Sequence, residues 1–350
     1  MSLNVVTRLP ALNELGFGRY YCPWMVNCQT KDGKWGQWEI EEVKELSLHP
    51  GAKVFHYAQE VFEGLKAYKL DNGNIALFRP QANISRMTKS AEIMAMISYP
   101  EKEYMNALKA ITLKCKDFVP QQPGALYLRP TMIGTTSTLG VVPSVEYQFF
   151  ILASPVGGYF GDIKSDQPAM VTVEVSETYV RAVRGGLGTA KTGANYAASL
   201  RAVSESKKNG YNNTLFLDAI ERKYLEELSG MNVFVVMDGT LCTPTLGDTI
   251  LPGVTRDSII NLAKDAGIPF KEDRISIHDV IGGLQNGKTT EIFACGTASA
   301  VTGISHIGWR GEKIAVNGGV AGKFSTKLYQ DLTAMHAGRI KDSRGWLVNV

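Results

Sequence analysis

The stretch PVGGYFGDIKSDQP, Pro155 to Pro168, decides how this chain is divided. It is rich in glycine and proline and has no hydrophobic periodicity, so it reads as an interdomain loop over 155–168. Before it, short β-rich runs (AKVFHYAQEVFEG, KAYKL, NIALFR, ALYLRPTMIG, YQFFILASP) mix with two helical stretches, Gln81–Met96 and Lys102–Phe118. Residues 1–154 are therefore expected to form a small N-terminal α+β domain. After it come strand-like AMVTVEVS, a helix from about Asn195 to Lys208, and strands TLFLDA and NVFVVMDGTLCT, the latter a hairpin closed by Asp238-Gly239. A helix from Val254 to Ala266, a strand EIFACGT and a C-terminal helix from Gly322 follow. Residues 169–350 are expected to form a larger α/β domain, whose hairpin favours a mixed sheet over a purely parallel one.

Composition supports two domains and narrows the partners. A chain of 350 residues exceeds what one hydrophobic core usually supports. Its 44% hydrophobic and 20% charged residues are those of a soluble globular protein. Lys plus Arg total 37 against 34 for Asp plus Glu, and no basic block stands out, so no nucleic acid or anionic membrane is expected as a partner. The 5 cysteines, Cys22, Cys28, Cys115, Cys242 and Cys295, are scattered and form no Cys-x-x-Cys pair. That argues against a disulfide framework and a zinc site, and fits a cytoplasmic location. His49, His56, His278, His306 and His336 show no metal-ligand spacing, so no metal is expected. No export leader is expected at the start, and the longest apolar run, near FFILA at 149–153, is too short to span a bilayer. Internal repeats, GxSxG and GxGxxG elements do not occur.

Several residues could carry chemistry, and each also has an ordinary reading. Lys191 lies in the glycine-rich segment GGLGTAKTGANYAASL. It is either a solvated loop residue or an amine nucleophile acting through a Schiff base, which needs partners for an aldehyde cofactor. One such partner is TILPGVTRDSI, where Pro252-Gly253 ends a strand-like run and Val254-Thr255 opens an amphipathic helix. Its backbone N–H groups and positive end suit a phosphate, although an ordinary capped turn looks the same. Gly296, Thr297 and Ala298 follow a buried strand in FACGTASAV, where glycine permits close approach of the backbone. Arg86, on the first helix, is a bidentate phosphate partner or a surface residue. Glu227, in KYLEELSGMNVF, points inward if Glu226 points outward under period-two alternation. It then pairs with a protonated ring nitrogen, or else sits in a solvated turn. In LYLRP, Tyr127 and Arg129 share one strand face, as a carboxylate site or as a structural pair.

Taken in order, FHYAQEVFEGLKAY, NISRM, LYLRPTMIG, PVGGYF, AKTGANY, EELSGMN, ILPGVTRDSI and CGTASAV resemble the branched-chain amino acid aminotransferases, pyridoxal-phosphate enzymes of fold type IV. The likeness runs from about Gly16 to the C-terminus, in the larger-chain subgroup. It implies two domains with pyridoxal 5'-phosphate between them, Lys191 holding the cofactor as a Schiff base and Glu227 contacting the pyridine nitrogen. It implies Tyr196 at the ring's phenolic oxygen, Leu251 packed on the ring, and Arg86, Gly253, Val254, Thr255, Gly296 and Thr297 around the phosphate. Substrate contacts implied are Phe62, Tyr127, Arg129, Thr297 and Ala298, with Tyr57, Leu139 and Val141 supplied by the partner of a homodimer and Tyr159 by the interdomain loop. The implied reaction is reversible amino transfer between L-leucine, L-isoleucine or L-valine and 2-oxoglutarate. D-amino acid transaminases, amine transaminases and aminodeoxychorismate lyases share the fold and are the alternatives. The chain departs from the family pattern at Ser299 and Thr302, where mammalian relatives carry a cysteine pair, and at Gly230, where a threonine is common.

Overall fold

The computed structural model describes residues 4–158 and 166–350. They fall into two compact units. The first takes the described residues up to 158 with Ala190–Gly193 and Ala334–Val350, and the second takes 166–189 and Ala194–Thr333.

The first unit is built on an antiparallel sheet. Its strands run in the order Leu347–Asn349, Ile75–Phe78, Leu65–Lys69, Ala125–Gly134, Tyr147–Val156, Trp24–Lys31 and Lys34–Trp35. Glu39–Glu42 pairs with Trp24–Lys31, and Glu60–Phe62 with Ala125–Gly134. Two helices, Pro80–Ile93 and Glu101–Lys114, pack on it through Ile84, Met87, Leu108 and Ile111. Pro80 occupies the first helical turn, where its missing N–H costs nothing. Tyr99 stacks on Phe149 with ring centroids 4.0 Å apart, and Tyr104 meets Phe149 edge-on at 5.1 Å.

Two expectations need correction here. AKVFHYAQEVFEG is not one strand: Lys53–Tyr57 is a short helix, Ala58 turns in the left-handed region, and only Glu60–Phe62 pairs. The reason is the buried Lys53 ammonium, which donates to the carbonyls of Thr138 and Gly140 and overrides the β-propensity of its neighbours. Residues 334–350, assigned from sequence to the second domain, belong to the first unit, because Leu347–Asn349 adds an edge strand to Ile75–Phe78.

The second unit holds a mixed sheet. Its order is Leu225–Leu228, Asn213–Leu217, Ala169–Ser176, Ala300–Trp309, Thr289–Gly296, Asn232–Met237, Thr240–Pro244 and Phe270–Asp273, with Glu312–Ala315 beside Ala300–Trp309. Leu225–Leu228 also pairs with Asn232–Met237, so the first six strands close on themselves. Ala169–Ser176 runs parallel to both neighbours while the hairpins are antiparallel. The Asn232–Met237 hairpin turns at Asp238 and Gly239, both at positive φ, as a two-residue turn of the expected kind requires. Helices Gly193–Lys208, Val254–Asp265 and Lys323–His336 lie close to their expected positions. Helix Ile277–Asn286 was not expected, since Gly282 and Gly283 interrupt its pattern. A Cβ on Gly283 would stand 2.1 Å from Thr289 Oγ1, so the glycine is the condition for packing against the adjacent strand. No described helix is long and apolar enough to cross a membrane.

Candidate active site

In the first unit the polar groups gather around Lys191. Its backbone is pinned from both sides: the Lys191 N–H donates to Ser90 Oγ at 2.9 Å, and the Lys191 carbonyl accepts from the Phe62 N–H at 3.0 Å. The Gly193 N–H donates to the Glu60 carboxylate. Lys191 Nζ stands 4.8 Å from the Phe62 ring centroid, and Arg129 Cζ stands 4.8 Å from the same ring, so one aromatic ring carries two cations. Arg129 Nη2 donates to the Tyr127 hydroxyl at 2.8 Å, as their shared strand face predicts. The phenol fits only because residue 64 is glycine, where a Cβ would lie 2.1 Å from the Tyr127 oxygen.

Arg86 is a buried residue, not a surface one, and its carboxylate partner is Glu63. Sequence reasoning missed Glu63, Glu60 and Ser90. The available signal was a pair of carboxylates set among apolar residues in QEVFEGL, where unpaired charge would be costly. Burial pushes Glu63 upward, but Arg86, Lys191 and Asn83 outweigh it and hold the carboxyl below its usual range. Burial wins at Glu60, whose carboxyl is raised despite the Gly193 N–H, Arg129 and Lys191.

In the second unit the central group is Glu227, buried on Leu225–Leu228 and paired in register with Asn232. Its carboxylate accepts from the Leu251 N–H at 2.8 Å and Asn232 Nδ2 at 3.1 Å, and forms a 2.5 Å ion pair with Arg181. Arg181 was also missed, since nothing local marks its distant partner. Glu226 was expected to point to solvent; it is buried too, because the closed strands are covered on both faces. Pro252-Gly253 ends a loop and not a strand, and Gly253 is the N-cap of the Val254–Asp265 helix, which has no side-chain cap. A Cβ on Gly253 would stand 2.0 Å from Asn232 Oδ1, so the helix start can approach the Glu227 cluster only as glycine. Gly296 ends Thr289–Gly296, and Thr297 and Ala298 lie in the tight turn to Ala300–Trp309. Tyr196 lies on the Gly193–Lys208 helix, its ring 3.4 Å from where a Cβ of Gly230 would be, an ordinary contact distance.

Tyr57, Leu139 and Val141 are exposed, and the Tyr57 hydroxyl donates to the Leu139 carbonyl. Tyr159 lies outside the described residues.

An amine in a glycine segment, a buried carboxylate and a helix start without a side-chain cap are the parts that an aldehyde cofactor with a ring nitrogen and a phosphate requires. The family model described as amino-transferase class IV matches residues 60–307. A branched-chain-amino-acid transaminase of Bacillus subtilis is 44% identical over 343 residues, covering 97% of this chain and 96% of that one. The chain belongs to the branched-chain amino acid aminotransferases. A further relative of this family, a probable branched-chain-amino-acid aminotransferase of Streptomyces coelicolor, is 41% identical over 97% of this chain and 94% of its own. Among solved structures, the branched-chain amino acid aminotransferase of Escherichia coli matches with a TM-score of 0.77 at 30% identity, covering 88% of this chain and 96% of that one. The T.th. branched-chain amino acid aminotransferase complexed with N-(5'-phosphopyridoxyl)-L-glutamate matches with a TM-score of 0.75 at 26% identity, covering 93% of this chain and 97% of that one.

As a member of this family the chain is a pyridoxal-phosphate-dependent aminotransferase of fold type IV. Its own residues fit the cofactor. Glu227 is met by a guanidinium and two further donors, a setting in which a carboxylate suits a protonated ring nitrogen. The Val254–Asp265 helix opens at Gly253 without a side-chain cap, which suits a phosphate at its first turn.

Proposed function

We propose that this branched-chain aminotransferase transfers the amino group reversibly between L-leucine, L-isoleucine or L-valine and 2-oxoglutarate, with Lys191 as its catalytic residue. The observation that carries this is the anchoring of Lys191: both backbone groups are pinned while the amine rests against the Phe62 ring. When bound, pyridoxal phosphate supplies an aldehyde that exchanges amines and a ring that takes up the electron pair left at the substrate Cα. Lys191 Nζ would hold the aldehyde carbon at rest; once the substrate amine displaced it from that carbon, the freed amine would take the proton from the substrate Cα and return it on the cofactor side. Glu227 would hold a proton at the ring nitrogen, and Tyr196 would meet the phenolic oxygen. Leu251 would pack against the ring, while Arg86, Gly253, Val254, Thr255, Gly296 and Thr297 would hold the phosphate.

For the substrate, Tyr127 and Arg129 orient a carboxylate, with the backbone at Thr297 and Ala298 available to the other. Phe62, Tyr57, Leu139 and Val141 provide apolar wall, with Tyr159 beside them. Such a wall separates substrates differing by one methylene by only about 1 to 3 kcal/mol, so all three branched amino acids are accepted. We further propose a homodimer in which Tyr57, Leu139 and Val141 serve the partner's site. Phe55, Leu139, Val141, Val142 and Val145, all of the first unit, are exposed apolar side chains, a residue class enriched where chains associate. A cytoplasmic location is supported by the five thiols, all of them free and buried.

Visible absorption tests the reading. The purified protein should carry a band that shifts when L-leucine is added and is indifferent to D-alanine. A response to D-alanine alone would assign the chain to a D-amino acid transaminase.

A further inference from the structure

We propose that Glu63 is a positioning residue: it fixes the Arg86 guanidinium for the cofactor phosphate and so makes binding selective for the phosphorylated form over pyridoxal. This rests on the reading of Arg86 as a phosphate partner. Glu63 is fully buried, directly after the Glu60–Phe62 strand. One of its oxygens accepts from Arg86 Nε at 2.7 Å. The other accepts from Arg86 Nη2 at 2.8 Å, Asn83 Nδ2 at 2.8 Å and the Gly64 N–H at 3.0 Å. Asn83 and Arg86 are one turn apart on the Pro80–Ile93 helix, so the helix offers both side chains to one carboxylate.

A buried ion pair of this kind is poor evidence for stability, since apolar residues of equal volume often serve as well. Its geometry points to another use. Pairing through Nε and Nη2 fixes the plane of the guanidinium and its rotation, and leaves the Nη1 edge outside the pair with Glu63. A long side chain that is already immobilised loses little rotamer freedom when it binds an anion. The same helix also reaches Lys191: the Ser90 hydroxyl, one turn beyond Arg86, donates to the Arg86 carbonyl and accepts from the Lys191 N–H, both at 2.9 Å. One rigid helix, locked by Glu63, therefore sets the spacing between the guanidinium and the amine. These are the two groups assigned to the cofactor's phosphate and to its aldehyde carbon.

The test is the ratio of affinities for pyridoxal phosphate and pyridoxal, measured by absorbance titration of the full chain stripped of cofactor. Glu63→Asp keeps the charge but withdraws the carboxylate by one methylene. It should lower the ratio about tenfold or more while pyridoxal binding stays near the wild-type value. Asn83→Ala leaves the ion pair and removes one anchor, so it stays informative where Glu63→Asp fails to fold; it should lower the ratio about threefold. A ratio that stays unchanged, or rises, in the folded variants overturns the proposal, because Glu63 would then be mere packing or a counter-charge opposing the phosphate. Arg86→Lys separates the two layers. If it leaves the ratio unchanged, the reading of Arg86 itself fails; if it lowers the ratio and Glu63→Asp does not, only the role of Glu63 fails.

Discussion

The two units solve opposite electrostatic problems with the same residue types. Around Lys191 the groups assigned to chemistry are cations, Lys191, Arg86 and Arg129, and two carboxylates, the half-buried Glu60 and the buried Glu63, support them. Around Glu227 the assigned group is an anion, and a buried arginine, Arg181, supports it. The support differs in kind. Lys191 is held by its backbone and rests on an aromatic ring, and its charge acts on the carboxyls of Glu60 and Glu63. Glu227 is itself the hub, collecting a guanidinium, a carboxamide and a backbone amide. Function and folding are thus separable at the first residue and joined at the second.

That contrast is broken or sharpened by two substitutions. Lys191→Ala should reduce turnover by at least about 10,000-fold, since it removes both the covalent partner and the proton carrier. The thermal midpoint of the cofactor-free protein should stay within a few degrees of wild type, because the backbone bonds to Ser90 and Phe62 do not need the side chain. Retained activity would remove Lys191 from its role, and a collapsed fold would remove the contrast. Glu227→Gln should do both kinds of damage. Loss of the charge that holds a proton on the ring nitrogen is expected to lower kcat by roughly 100- to 1,000-fold. Leaving Arg181 buried without its anion should cost about 3 kcal/mol by urea unfolding. A variant with wild-type stability would show that Arg181 does not depend on Glu227.

Much of this was legible in sequence where the cause was local. Asp238-Gly239 announces its turn because both positions need positive φ, and Tyr127 and Arg129 announce their meeting because strand periodicity puts them on one face. Lys191, Glu227 and the Val254-Thr255 helix start stood out for their residue types and gained meaning from their order. What stayed hidden was long-range. Lys53 turns a strand-like run into a helix through carbonyls 85 and 87 positions away, and no local window contains them. Whether Arg86 is buried or on the surface was not legible, because Glu63, 23 positions earlier, lay in a run read as plain strand. The Ile277–Asn286 helix was missed because Gly283 exists to admit Thr289, a contact that appears only once the layers are packed.

The smallest expected effect concerns two buried carboxyls with opposite shifts, one in each unit. Glu63 is held below the usual range because Arg86, Lys191 and Asn83 together outweigh burial. Glu226 is raised because burial outweighs the hydrogen bond from Thr249, and the neighbouring charge of Glu227 adds to the rise. The signs follow from which state holds the proton. The unfolded chain releases the Glu226 proton in the ordinary carboxyl range, about pH 4.3, while the folded chain keeps it to higher pH. Glu226 therefore costs stability progressively as pH rises from that range through its folded value, and the cost is constant above it. Glu63 does the reverse: its contribution is present above the ordinary range and is lost as pH falls through its lowered value. Glu226→Gln imitates the protonated form at every pH. Its urea midpoint should match wild type in mild acid and exceed it near neutrality, whereas Glu63→Gln should fall below wild type near neutrality and converge with it in acid. Parallel curves for the two variants would mean that the carboxyls feel the same surroundings, and the opposition between the two units would reduce to burial alone.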